Sequence, residues 1–182
     1  GCFFSCDGGY ISKDPSIPFL FPDAHVYLEN VIYNSNDAMF TIIGNKYCIF
    51  KDAYIGIHAL ESDIKLEYCE FVDLVKDANP HLKGTGIVAS NLVPMAKAID
   101  IFRAKFNRLL QGISSTGNYN ISIDNNNLDY FREIDDIAIS INSLNFNNDV
   151  SITKIQNFLK CNIGIKISGS NLNDVTISDN FF

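Results

Sequence analysis

The sequence predicts an all-β parallel β-solenoid of about six to seven coils, one segment over 1–182, and three observations carry that expectation. First, an eight-residue frame recurs six times, beginning at Phe40, Ile64, Ile99, Ile121, Val150 and Val175. It has apolar residues at positions 0 and 2, a small or amide residue at position 5 and a large apolar residue at position 7. Second, all twelve residues at positions 0 and 2 are apolar and ten of twelve at positions 1 and 3 are polar, which is the period of a strand rather than a helix. The exceptions are Ile43 and Phe102. Third, the chain holds 25 Ile, 14 Phe and 21 Asn. Ile and Phe suit pleated, buried surfaces, and Asn tolerates tight turns, so many short strands joined by sharp corners would use this mixture.

Taken in chain order, Gly1–Phe4 reads as the tail of a further copy, with Cys2 at position 5 and Phe4 at position 7. The copies from Phe40 onward follow at intervals of 24, 35, 22, 29 and 25 residues, a basic unit of about 22 with insertions, which is the length of one solenoid turn. In the first full copy the frame puts Asn45 at position 5 and Tyr47 at position 7; the copy from Val150 slips by one, so that Phe158 takes the large position. Between copies a second short strand recurs: Gly56-Ile57-His58-Ala59, Gly86-Ile87-Val88-Ala89, Gly112-Ile113-Ser114-Ser115 and Gly164-Ile165-Lys166-Ile167, with Asp136-Ile137-Ala138-Ile139 as a variant. Its glycine is expected to supply a corner. Polar turns such as Ser115-Thr116-Gly117-Asn118 and Ser168-Gly169-Ser170-Asn171 lead into the next main strand.

Insertions are expected at about 5–24, 72–85, 91–97, 129–135 and 142–149, projecting as loops from a rigid frame. Proline cannot donate to a strand ladder, and Pro15, Pro18, Pro22, Pro80 and Pro94 all fall in these stretches. The chain begins and ends inside a copy, so either further coils of a longer chain or a capping partner is expected at the coil ends.

The alternation of apolar strand, Asn, Phe and Gly-Ile resembles the right-handed parallel β-helix proteins of the pectate-lyase-like superfamily, over roughly residues 25–182. That resemblance implies a right-handed coil and an extracellular or cell-surface protein, of bacterial type. It leaves activity open, because the fold carries lyases, hydrolases, epimerases, adhesins and phage tailspikes.

Charge narrows the partners. With 14 Lys+Arg against 21 Asp+Glu the net charge is −7, which lacks the positive field that draws in phosphate backbones and argues against nucleic acid. No apolar run reaches the roughly 18 residues of a membrane span, and no signal peptide is recognisable at the start. Five cysteines, Cys2, Cys6, Cys48, Cys69 and Cys161, lack the spacing of a disulfide scaffold or zinc site and read as small core residues. His25 and His58 are expected on or beside the second strands and His81 in an insertion; no pair has metal-ligand spacing.

Outward positions of the main sheet form columns: Thr41, Lys65, Asp100, Ser122, Ser151, Thr176 at position 1 and Ile43, Glu67, Phe102, Asp124, Thr153, Ser178 at position 3. Lys65, Glu67, Asp100, Phe102 and Asp124 then form one patch with Arg103 and Lys105 at its margin. An aromatic between carboxylates can stack on a sugar while the acids bind hydroxyls, so Glu67 and Phe102 are ligand-binding candidates. In a hydrolase Asp100 and Asp124 would be acid and base; in a lyase Lys65, Arg103 or Lys105 would be the base. The competing reading is a solvated face with a Lys65–Asp100 cross-strand ion pair. Arg103-Ala104-Lys105 resembles the Arg-x-Lys element of polygalacturonases, whose Asn-Thr-Asp and Gly-His-Gly elements are missing. No metal ligands are assigned; the turns Asn147-Asn148-Asp149 and Asp179-Asn180 offer Ca2+ suitable oxygens without a specific motif, so no cofactor is expected.

The function expected is therefore a non-catalytic repeat segment of a secreted or cell-surface β-helix protein, a rigid scaffold or a surface for polysaccharide or another protein. The alternatives are a polysaccharide lyase or glycoside hydrolase fragment with its site on the outward face, and a subunit of a trimeric tailspike-like fibre.

Overall fold

The computed structural model describes residues 3–4, 24–29, 40–51, 55–72, 74, 84–129, 137–143, 148–156, 158–159, 161–169 and 172–181. Every regular element among them is a β-strand, and every strand pairing is parallel. The main sheet has ten strands: Phe3–Phe4, Phe40–Phe50, Ile64–Val72, Lys97–Phe102, Lys105–Asn107, Tyr119–Asp124, Asn127–Asp129, Asn148–Thr153, Phe158–Leu159 and Leu172–Ser178. The second sheet has six: Ala24–Glu29, Ile55–Leu60, Thr85–Asn91, Gln111–Gly117, Ile137–Ser143 and Ile163–Gly169. Because the chain visits the two sheets in turn and stacks each strand on its counterpart, it winds as a parallel β-solenoid. About four turns are complete among the described residues. The expected six to seven coils also count the earlier strands, whose connections lie outside those residues.

The main-sheet register places all six frame origins in one file: Phe40 beside Ile64, Ile64 beside Ile99, then Ile121, Val150 and Val175. Apolar side chains at positions 0 and 2 point to the axis, where Ile64, Leu66, Ile99, Ile101, Ile121, Ile123, Val150 and Ile152 are buried. Burying each such side chain contributes roughly 1.5–3 kcal/mol. Val175 and Ile177 hold the same positions in the last described coil and are 41% and 45% exposed. Outside this file the rings of Phe50, Phe71 and Phe106 stack at 4.6 and 4.9 Å with their planes nearly parallel, and Leu128 is buried in the next coil of the same file.

Three expectations are corrected. Strand Phe40–Phe50 carries three extra residues between Ile43 and Cys48, so Cys48 and Phe50, not Asn45 and Tyr47, align with Cys69 and Phe71. Tyr47 and Phe50 are both large and apolar; stacking against Phe71 selects the second. In the second sheet Ile57, Ile87, Ile113, Ile139 and Ile165 share one file, so Ala138 rather than Asp136 takes the place of the glycine. That glycine does not turn the corner. A Cβ on Gly56 would come within 2.6 Å of the Phe71 ring and 2.7 Å of the Gly86 carbonyl, and one on Gly86 within 2.9 Å of Phe106; the position is kept bare so that the phenyl stack can approach. Among the described glycines positive φ occurs at Gly117 and Gly169, in the polar turns. Finally, the last four second-sheet strands begin at Thr85, Gln111, Ile137 and Ile163, steps of 26 residues, whereas Ile55 stands 30 residues before its partner Thr85 and the main-sheet file includes the 22-residue step from Ile99 to Ile121.

The corner after main-sheet position 3 is turned by a residue in the left-handed region in five successive coils: Tyr68, Arg103, Asn125, Lys154 and Asp179, with φ of 51–56°. Immediately after it, Asn126 and Asn180 reach back one coil. Asn126 accepts from the Ala104 amide at 2.6 Å and donates to the Ile101 carbonyl at 3.1 Å, and Asn180 does the same to Ile155 and Ile152. The turns offered to Ca2+ are thus partly committed inward: Asn180 by this clamp, and Asn148, buried, by donation to Gly117 and Ser143.

Of the insertions, 91–97 is described: Leu92–Ala96 forms a loop holding Pro94, tied at its base by Asn91 to Met95 and by Asn118 to Val93 and Pro94. Those at 5–24, 72–85 and 129–135 fall mostly outside the described residues, as do Pro15, Pro18, Pro22, Pro80 and His81, while 142–143 and 148–149 are strand ends. No helix among the described residues is long and apolar enough to cross a membrane.

Candidate functional site

The outward face of the main sheet brings the sequence-predicted residues together. Register sets Lys65 beside Asp100 and Asp100 beside Ser122, and one row on sets Glu67, Phe102, Asp124 and Thr153 side by side. Lys65, Glu67, Asp100, Phe102 and Asp124 are all half-buried. Asp100 and Asp124 sit on neighbouring strands two residues apart along the chain direction, about 8 Å between Cα atoms from the spacing and rise of parallel strands.

The side chains, however, are occupied with one another. Lys65 Nζ lies 3.2 Å from Glu67 Oε1 on its own strand, so its ion pair runs along the strand and not across to Asp100 as the sequence suggested. Asp124 Oδ1 accepts from the Thr153 hydroxyl at 2.7 Å and lies 3.7 Å from Lys154 Nζ. Asp100 is left as a single carboxylate without a partner of the same kind engaged beside it. Lys105 stands in register beside Glu70 on the short strand after the corner.

At the margin, the left-handed corner turns Arg103 outward onto its neighbours. Its guanidinium lies 4.9 Å from the Phe102 ring centre and 5.5 Å from that of Tyr68, and its Nη1 donates to the Tyr68 hydroxyl at 2.6 Å. Tyr68 meets Phe102 edge to face, centroids 6.4 Å apart. Cation–π contacts at such exposed positions contribute about 0.5–1 kcal/mol each. Tyr68 was missed in the sequence. Its signal was available: it holds the same frame position as Arg103, one coil earlier.

A second polar group lies inside the coil at the opposite corner. Asp63 and Lys97 are both nearly inaccessible, with Lys97 Nζ 3.9 Å from Asp63 Oδ2, while Asp63 Oδ1 accepts from the Ala98 amide at 2.6 Å. Tyr119, in register with Lys97, is buried with its hydroxyl outside hydrogen-bond geometry. Burial holds the Tyr119 phenol above its ordinary value of 10.0, Asp63 and Glu61 add to this, and the nearby Ser62 backbone opposes it. Nothing in this group reaches solvent, so it is structural. Among the described residues no three His, Cys, Asp or Glu side chains gather closely enough to hold a metal ion. His25 and His58 lie on second-sheet strands as expected.

Comparison with known proteins adds nothing to the fold. No family model matches the chain. No curated protein and no solved structure matches it either.

Proposed function

We propose that the chain is a non-catalytic stretch of a secreted or cell-surface β-helix protein of the pectate-lyase-like kind, a rigid scaffold whose outward face binds glycan or protein. One observation carries this reading: of the two acids that hydrolysis would need, Asp124 is held by the Thr153 hydroxyl and the Lys154 ammonium, which leaves Asp100 without a free second carboxylate to work with. A general acid and base must be able to exchange protons with substrate, and a carboxylate held by a hydroxyl and an ammonium is a binding or structural group first. The cluster of half-buried Tyr68 and Phe102 with exposed Arg103 supports a binding role, since aromatic edges and remaining guanidinium donors suit a polar ring or a partner side chain.

The test is a screen of acidic and neutral polysaccharides for both cleavage and retention, using the wild type, Asp100→Asn, Asp124→Asn and Phe102→Ala. The expected outcome is no cleavage by any form, with retention weakened at least tenfold by Phe102→Ala. Turnover by the wild type that both Asp variants abolish would replace this reading with the hydrolase. Symmetrical trimers in solution would favour the fibre.

A further inference from the structure

The outward face of the main sheet and the corner beside it bring six charged side chains together: Lys65, Glu67, Asp100, Arg103, Asp124 and Lys154. Four of them cancel in two ion pairs, Lys65 with Glu67 at 3.2 Å and Lys154 with Asp124 at 3.7 Å. Among the described residues, Asp100 and Arg103 are left over, forming no ion pair with each other or with a third group. They flank Phe102 in chain order. Asp100 and Phe102 share a face of one strand, about 6.6 Å apart between Cα atoms at the ordinary rise. The Arg103 guanidinium lies over the Phe102 ring at 4.9 Å and donates to the Tyr68 hydroxyl instead of meeting Asp100. Held there, it keeps further N–H donors in a planar fork, which a carboxylate can meet two at a time.

We propose that this shelf binds an amphoteric glycan, one that carries amino and carboxylate groups on neighbouring sugars. The inference rests on the reading of the outward face as a glycan surface and narrows its ligand class. A sugar ring covers Phe102, a protonated amine meets Asp100 and a carboxylate meets Arg103. Charge complementarity decides the class. A purely acidic chain is repelled by Asp100 and by the net charge of −7, a purely cationic one is repelled by Arg103, and a neutral one uses neither. A peptide fits less well. It gains affinity by pairing with a free sheet edge or by seating anchors in a pocket, but Lys97–Phe102 has a neighbouring strand on both sides, and Glu67, Phe102, Asp124 and Thr153 form a row across a continuous sheet. Both charge contacts are open to solvent, so each contributes about a two- to fivefold factor in affinity that salt screens.

The experiment measures retention of the chain in native gels cast with soluble polymers, at mildly acidic pH and low salt. The polymers are carboxymethyl-chitosan, which carries both charges, chitosan, carboxymethyl-cellulose and hydroxyethyl-cellulose. The strongest retention is expected with carboxymethyl-chitosan. Asp100→Asn weakens it about two- to fivefold and removes its advantage over carboxymethyl-cellulose. Arg103→Gln does the same against chitosan, and Arg103→Lys, which keeps the charge without the fork, falls between. Asp174→Asn, which removes an exposed acid three main-sheet strands away, leaves retention unchanged. An equal effect of Asp174→Asn would reduce the preference to net charge and overturn the proposal, as would tighter retention by a lysine–glutamate copolypeptide. Equal retention by hydroxyethyl-cellulose that Phe102→Ala weakens would overturn the amphoteric class and leave the glycan surface standing. Absence of retention by every polymer would end both.

Discussion

The two corners of each coil solve the same problem with different emphasis. After main-sheet position 3 the chain turns on a left-handed residue in every coil, Tyr68, Arg103, Asn125, Lys154 and Asp179, with a buried side-chain clamp added by Asn126 and Asn180. Between the second sheet and the next main strand, the turn is held by buried polar side chains, Asp63 with Lys97, Asn91 with Asn118 and Met95, and Asn148 with Gly117 and Ser143. A backbone corner tolerates any side chain at a modest conformational cost. A side-chain corner depends on particular residues, because a buried polar group stripped of its partner loses hydration without recompense.

The difference can be broken most forcefully at the buried pair. Lys97→Met leaves Asp63 ionised or awkwardly protonated inside the coil and is expected to destabilise the fold by about 3–5 kcal/mol in urea unfolding. Adding Asp63→Leu should recover most of that, since a fully apolar pair carries no uncompensated charge; failure to recover would show that the corner needs this pair's hydrogen bonds rather than only its neutrality. Asn126→Ala comes next. It leaves the buried Ala104 amide and Ile101 carbonyl without their clamp, for an expected loss of about 1–3 kcal/mol. The smallest effect has the opposite sign. Lys154→Gly relieves a non-glycine residue of its left-handed φ and gives up only an exposed ion pair to Asp124, so a gain of up to about 1 kcal/mol is expected from thermal or urea melts.

The same contrast explains what could be read in advance. The main-strand register was legible from Phe40 to Val175 because inward positions demand branched or aromatic residues on a period of two, and water enforces that pattern in every coil. Phe50 was hidden because Tyr47, three residues earlier, satisfies the same demand until a neighbouring ring is present to choose. The left-handed corners were invisible where Tyr68, Arg103 and Lys154 hold them, for a conformation that any residue can be forced into leaves no compositional trace; Asn125 and Asp179 were the only hints. Glycine misled in a different way. Gly56 and Gly86 were read as turns although what they provide is room for Phe71 and Phe106, and single-chain periodicity records a small residue without recording why it is small. At the surface patch, register delivered the right neighbours, but whether Lys65 pairs with Asp100 or Glu67 depends on side-chain torsions that strand spacing does not determine.

The 26-residue step shared by the last four strands of the second sheet makes this part of the molecule editable in whole units. Excising 111–136 would join Leu110 to Ile137 and keep the second-sheet register, so loss of a coil shortens the stack at the cost of the clamps that the removed coil made to its neighbours, such as Asn126 to Ala104 and Ile101. Register is thus preserved by a whole-unit edit, while the fit of each new junction is decided by the few buried side chains that cross it.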